Sequence, residues 1–131
     1  MYRDTPSPLV ITAVSSFVVG LRVADGVEAW RTQVGGDWAR LHVTDTRVVA
    51  VGARRLTILD YASGRVLASL DDAGGGTLLV VGNLAFVSSQ GVLSCIDLES
   101  ASVRWRNELR GTGYSAAPIG LPGAVAQADL G

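Results

Sequence analysis

Apolar residues along this chain fall in short runs of about five, cut by Gly, Asp, Ser or Pro before a helical period can develop. Val, Leu, Ile and Thr dominate the runs, as expected of strands. In the middle of the chain the pattern predicts strands at about Arg40–Thr44, Arg47–Gly52, Arg55–Asp60 and Arg65–Leu70. A second set follows at about Thr77–Val81, Leu84–Ser88, Val92–Asp97 and Val103–Leu109. The Ala-rich tail is broken by Pro118, Gly120, Pro122 and Gly123, which exclude a long helix. The expected class is all-β.

The runs repeat. A strand, a tight turn and a short strand recur with Gly26, Gly64 and Ala101 at the turn, spaced by 38 and 37 residues. Four residues after each turn position stand Trp30, Ala68 and Trp105. Other columns keep the register: Val18, Leu56 and Leu93, then Leu21, Leu59 and Ile96. An earlier hairpin turn recurs at Asp45-Thr46, Gly82-Asn83 and Pro122-Gly123, with residues that tolerate hairpin geometry. Four short antiparallel strands at a period near 40 residues are the mark of a propeller blade. The predicted units are about 9–38, 39–75 and 76–112, with tail strands in 113–131. A single twisted blade has two apolar faces and needs neighbours on both sides.

These columns resemble the pyrroloquinoline-quinone-like repeats, the tryptophan-docking propeller family. The residues that carry the likeness are Leu59-Asp60-Tyr61-Ala62-Ser63-Gly64, Ile96-Asp97, and Trp30 and Trp105 at the tryptophan column. Tyr114-Ser115-Ala116-Ala117-Pro118-Ile119 looks like the opening strand of a further repeat. The resemblance implies that Trp30 and Trp105 pack between adjacent blades in a structural role. Arg22, Ala101 and Ala68 depart from the family's Asp, Gly and Trp, and Tyr61 is expected to fill the place beside Ala68. Trp38 lies off the column, in a connection between blades, and is the candidate for an exposed contact. Some members of the family are quinone-dependent dehydrogenases with vicinal cysteines and calcium ligands. The single Cys95 rules out such a pair, so a non-enzymatic member is expected, with no cofactor.

Composition narrows the chemistry further. Of 131 residues 48% are hydrophobic and 18% charged, which suits a globular domain, and the net charge of −1 gives no general pull toward nucleic acid or an anionic membrane. With one cysteine no intrachain disulfide forms, and His42 and Cys95 show no metal-ligand spacing. Leu9 to Gly20 faintly resembles a leader, but Asp4, Pro6, Pro8 and Ser15-Ser16 favour two strands about a turn. No run approaches the roughly 20 apolar residues of a membrane span. A cytoplasmic location is therefore expected. Gly74-Gly75-Gly76 precedes a strand rather than a helix and is read as a connection, not a phosphate loop. Asp71-Asp72 reads as a solvated loop, Asp60 and Asp97 as turn residues bonding their own backbone, and Arg104, Arg106 and Arg110 as solvent-facing. No nucleophile, base and orienting group can be connected, so no catalytic residue is assigned.

Against the repeat, the chain begins at the second strand of a blade, supplies two whole blades, and ends with a first strand at about 115–120 and a second at about 123–128. Ser115, Ala117 and Ile119 are the candidate assembly strand. Rings have four to eight blades, so about three blades form a partial propeller with bare faces. The expectation is a protein-interaction or assembly scaffold that closes head to tail, preferably as a homodimer with six blades. The alternatives are completion by another propeller-bearing chain, or a fragment of a larger propeller, including a quinone-dependent dehydrogenase-like one.

Overall fold

The structure, a computed structural model, describes residues 8–34, 38–52, 55–71, 77–89, 91–111 and 118–126. All regular elements among them are strands: β1 (Leu9–Val14), β2 (Phe17–Arg22), β3 (Glu28–Gln33), β4 (Trp38–Val43), β5 (Arg47–Gly52), β6 (Arg55–Asp60), β7 (Val66–Asp71), β8 (Thr77–Val81), β9 (Leu84–Ser89), β10 (Val92–Asp97), β11 (Ser102–Asn107), β12 (Ile119–Leu121) and β13 (Ala124–Ala126). They form a three-stranded sheet β1-β2-β3, two four-stranded sheets, β4-β5-β6-β7 and β8-β9-β10-β11, and a hairpin β12-β13. We call the three larger sheets I, II and III. Every pairing is antiparallel between sequence neighbours.

The repeat is written into the backbone. A register shift falls at Gly20/Leu21, at Ile58/Leu59 and at Cys95/Ile96, the same place in each sheet. The turn that follows puts Gly26, Gly64 and Ala101 at φ of 76°, 75° and 55°. Only the third of these carries a Cβ in that left-handed region. In all three sheets the residue just after this middle strand donates its N–H to the carbonyl just before the preceding strand: Val23 to Pro8, Tyr61 to Thr46 and Leu98 to Asn83. Asp60 accepts from the Ser63 N–H and hydroxyl, and Asp97 accepts from the Glu99 and Ser100 N–H groups, so both side chains bond their own turns.

Burial follows from stacking. Sheet II is covered on both faces, so β5 reads as an unbroken buried run from Val48 to Gly52. Val48, Ala50 and Leu59 pack with Val18 and Trp30 of sheet I. Val49, Val51, Leu56 and Ile58 pack with Ala85, Val87, Ile96 and Leu98 of sheet III. Among the described residues sheet I is covered on one face only, and β1 alternates accordingly. Its Leu9, Ile11 and Ala13 pack against the core, while Val10 and Val14 are 52% and 55% exposed. On the far side of the stack every residue of β11 is exposed.

Candidate functional site

The places where this chain can bind something are best understood from the two joints it has already filled. At the first joint, β3 of sheet I meets the β6–β7 turn of sheet II. Trp30 is 8% exposed. Its Nε1–H donates to the Tyr61 carbonyl at 2.9 Å, and the Thr32 hydroxyl donates to the Gly64 carbonyl. The indole lies where a Cβ on Gly64 would stand, so the glycine serves the close approach as well as the turn. Across β2–β3 its register partner is Gly20, whose Cβ would come within 2.7 Å of the ring. The ring is therefore flat between two glycines.

Tyr61 completes this joint in an unexpected way. Its hydroxyl accepts the Leu9 N–H at 2.6 Å and donates to the Leu9 carbonyl at 3.0 Å. In sheet II the equivalent residue, Arg47, has its N–H and carbonyl satisfied by Thr44, at the hairpin with the sheet's first strand. Sheet I has no such strand among the described residues, and a phenol from the next sheet occupies its hydrogen-bonding positions. The expectation that Tyr61 fills the space beside Ala68 is thus corrected: the ring belongs to the first joint, because its hydroxyl finds two backbone partners there.

At the second joint every part is resized. Ala68 stands in place of Trp30, Ala101 in place of Gly64, Leu98 in place of Tyr61, and Ile58 rather than glycine faces Ala68 across the strand pair. Leu67, Ala68, Leu70 and Ala101 all pack against the buried cluster between sheets II and III. The missing indole donor is replaced by Arg47, whose Nε–H donates to the Leu98 carbonyl at 3.0 Å and whose NH2 group donates to the Glu99 carbonyl at 3.1 Å. Its guanidinium also lies 3.6 Å from Asp60 and 3.4 Å from Glu99, with the side chain 13% exposed. The charge is thereby neutralised as it leaves water.

The electrostatics are those of turns and joints. The Ser63 hydroxyl foremost holds the Asp60 carboxyl below the ordinary range; burial opposes it, and the Ser63 N–H and the Arg47 and Arg65 charges add to the lowering. The Ser100 N–H, the Asn83 amide and the Glu99 N–H do the same for Asp97. Burial lowers His42 and raises the Cys95 thiol. Among the described residues no three His, Cys, Asp or Glu side chains are grouped as a metal would require. No helix among them is long and apolar enough to cross a membrane.

The sequence-predicted residues are distributed as follows. Trp30 lies in the first joint. Trp105 is 45% exposed on β11, with its ring 6.3 Å from Phe86 at a tilt of 52°. Ile119 is on β12 and 8% exposed. Ser115 and Ala117 lie outside the described residues, as do Gly74-Gly75-Gly76 and Asp72. Trp38 opens β4, and its side chain is outside the described part. Tyr61 as a strand surrogate, Arg47 and Thr32 were not anticipated. The tail is already a hairpin, pairing Ile119 with Ala126 and Leu121 with Ala124.

No family model and no curated protein matches the sequence. Solved structures do match in fold. The similarity is to BamB from Moraxella catarrhalis at a TM-score of 0.66 and 13% identity, covering 92% of this chain and 39% of that one. A europium-containing methanol dehydrogenase matches at 0.59 and 15% identity, over 75% of this chain and 22% of the other. The quinohemoprotein alcohol dehydrogenase from Comamonas testosteroni matches at 0.57 and 15% identity, over 76% and 19%. The fold is a partial β-propeller, and the chain spans well under half of each of these neighbours.

Proposed function

We propose that this chain is a non-catalytic propeller module, a protein-interaction or assembly scaffold, that closes its ring by pairing head to tail with a second copy. The observation that carries the reading is a pair of unfilled faces. On sheet I, Val10 and Val14 are exposed on the side that sheet II, at its equivalent Val48, buries against sheet I. On sheet III, Val103 and Trp105 are exposed on the opposite side. Apolar side chains left open at both ends of a stack favour association. Two copies stacked this way give six blades, within the usual range.

The ends fit such a closure at one cost. β13 follows its turn as β5 and β9 follow theirs, so it holds the place in the repeat that β1 holds in sheet I. Closure exchanges the three-residue β13 for the six-residue β1 of the other copy beside β12. The polar groups around Asp60, Asp97 and Arg47 are engaged in turns and joints, which supports a structural rather than a catalytic use.

Sedimentation equilibrium of the purified chain tests the reading. The expected mass is twice the 13.6 kDa of one chain. A folded monomer at micromolar concentration overturns it. The second reading is a piece of a larger propeller, favoured by the coverage of 39% or less of the neighbours above. In that case the two faces belong to further blades. Added quinone and calcium leave no bound chromophore if the scaffold reading holds.

A further inference from the structure

We infer that Tyr61 is a register stop for strand addition at the β1 edge: while its hydroxyl holds the Leu9 backbone, an extended peptide segment pairs with sheet I only through Ile11 and Ala13. Among the described residues β1 is an edge strand of sheet I. Its pairing with β2 fixes which way its backbone groups point. Val14 and Phe17 close a hairpin over Ser15 and Ser16, and the Val23 N–H donates to the Pro8 carbonyl. Antiparallel neighbours bond at alternate residues, so Pro8, Val10, Thr12 and Val14 serve β2. Leu9, Ile11 and Ala13 turn their N–H and C=O groups to the edge, a row that templates a further strand. Tyr61 meets this row at Leu9, accepting the N–H at 2.6 Å and donating to the carbonyl at 3.0 Å.

Sheet II has the same row filled. Arg47, Val49 and Val51 stand 38 residues after Leu9, Ile11 and Ala13. Val49 and Val51 pair with His42 and Arg40 of β4. Arg47 is served by Thr44, whose N–H donates to its carbonyl and whose hydroxyl accepts its N–H. Tyr61 performs both duties of Thr44 on Leu9, with one hydroxyl and from the neighbouring sheet. The counterpart one sheet on is Leu98, whose N–H bonds the Asn83 carbonyl as the Tyr61 N–H bonds that of Thr46. Leucine has no hydroxyl, and it stands where the strand pair β4–β5 is complete; tyrosine stands where β1 is an edge. Because the bonds of the turn are already made at Leu9, a strand beside Ile11 and Ala13 need not be joined to β1. A strand that runs on past Leu9 must first expel the phenol. The partner that fits is a separate extended segment of the β4 kind, whatever chain supplies it, so the inference stands apart from the head-to-tail reading.

The probe is an acetylated, amidated peptide with the sequence of residues 38–44, the segment this chain sets beside β5. Amide exchange of the labelled full chain is followed by NMR as the peptide is added. In the wild type the peptide is expected to slow exchange at Ile11 and Ala13 and to leave Leu9 unchanged. Tyr61→Leu installs the residue of the second joint, and Tyr61→Phe separates the hydroxyl from the bulk of the ring should the first variant fold poorly. In both, Leu9 is expected to exchange fast alone and to slow with the other two when peptide is added. The extra bonded pair should tighten binding at least about threefold. A tyrosine that merely braces β1 would make its loss weaken binding instead, and that result overturns the inference. So do equal affinities with the same amides responding in all three proteins, or no slowing at Ile11 and Ala13 in any. Ala13→Pro removes an outward N–H from an edge strand, where proline is tolerated, and should abolish the effect at Ile11; persistence of that effect also overturns it. A monomer by sedimentation leaves these expectations intact. In a closed dimer the partner's strand takes the place of the peptide, and the same three amides give the answer.

Discussion

Gly64→Ala adds one methyl at the centre of the first joint, and its cost can be worked from the surroundings. The residue holds φ at 75°, where an L side chain costs about 1–2 kcal/mol. The new Cβ also falls on the Trp30 ring and 2.9 Å from the Thr32 hydroxyl. Overpacking of that kind adds about 1–3 kcal/mol, for about 2–5 kcal/mol in all. Gly26→Ala shares the backbone cost but has open space around it, so about 1–2 kcal/mol is expected. Trp30→Ala alone should cost about 3–5 kcal/mol, as a large buried ring is removed and the Tyr61 carbonyl loses its donor. The double variant rebuilds at the first joint the alanine pair, Ala68 and Ala101, that the second joint uses. Without the indole only the Thr32 hydroxyl still crowds the methyl, and Gly64→Ala should then cost much nearer to Gly26→Ala. The expected coupling is about 1–3 kcal/mol in favour of the double variant. Urea titration followed by far-ultraviolet circular dichroism measures the wild type and the four variants, provided the slope against urea is unchanged. Equal costs of Gly64→Ala with and without Trp30 would refute the account of the joint as a size-matched pair.

Other expectations follow from the same geometry. Tyr61→Phe removes the hydroxyl that satisfies both polar groups of half-buried Leu9 and should cost about 1–2 kcal/mol, with faster amide exchange at Leu9 by NMR. Arg47→Met leaves the buried Leu98 carbonyl without its donor and should cost about 2–3 kcal/mol in urea titration. Arg47→Lys should not rescue it, since a lysine lacks the fork that reaches two carbonyls. Stability should fall on acidification in two stages. His42 titrates below its ordinary value in the folded chain, so its contribution is whole above pH 6.5 and is lost as the pH falls toward the folded value. Asp60 and Asp97 also titrate low, so theirs is present above the ordinary carboxyl range and is lost as the pH drops through the folded values. Urea midpoints across about pH 7 to 3 check this, with His42→Gln removing the upper stage; a midpoint that rises on mild acidification contradicts it.

The strands and their period were legible because each repeat carries its own punctuation. Gly26, Gly64 and Ala101 mark one backbone turn, and a glycine-to-alanine change did not hide it because the surrounding columns stayed in register. What no column announced were the contacts between sheets. Tyr61 looks like any turn aromatic until the stack brings the Leu9 backbone to its hydroxyl. Arg47 reads as the charged start of a strand, yet its stem is buried and its fork crosses to the next sheet. Arginine hides apolar length behind a polar tip, and sequence alone does not say which way it leans. Trp30 and Trp105 share a column and differ sixfold in nothing but their surroundings; one is 8% exposed and the other 45%.

The matched sizes at the joints also fix which unit can follow which. A tryptophan-bearing sheet tolerates only a glycine turn as its successor, and the alanine-bearing sheet II is followed by the alanine turn of sheet III. Deleting the second unit by unequal crossover would drive the Trp30 indole onto the Ala101 methyl. Gene duplication can therefore lengthen such a chain only by inserting units with compatible ends, so sterics written in four small residues act as a proofreading rule on how the array grows.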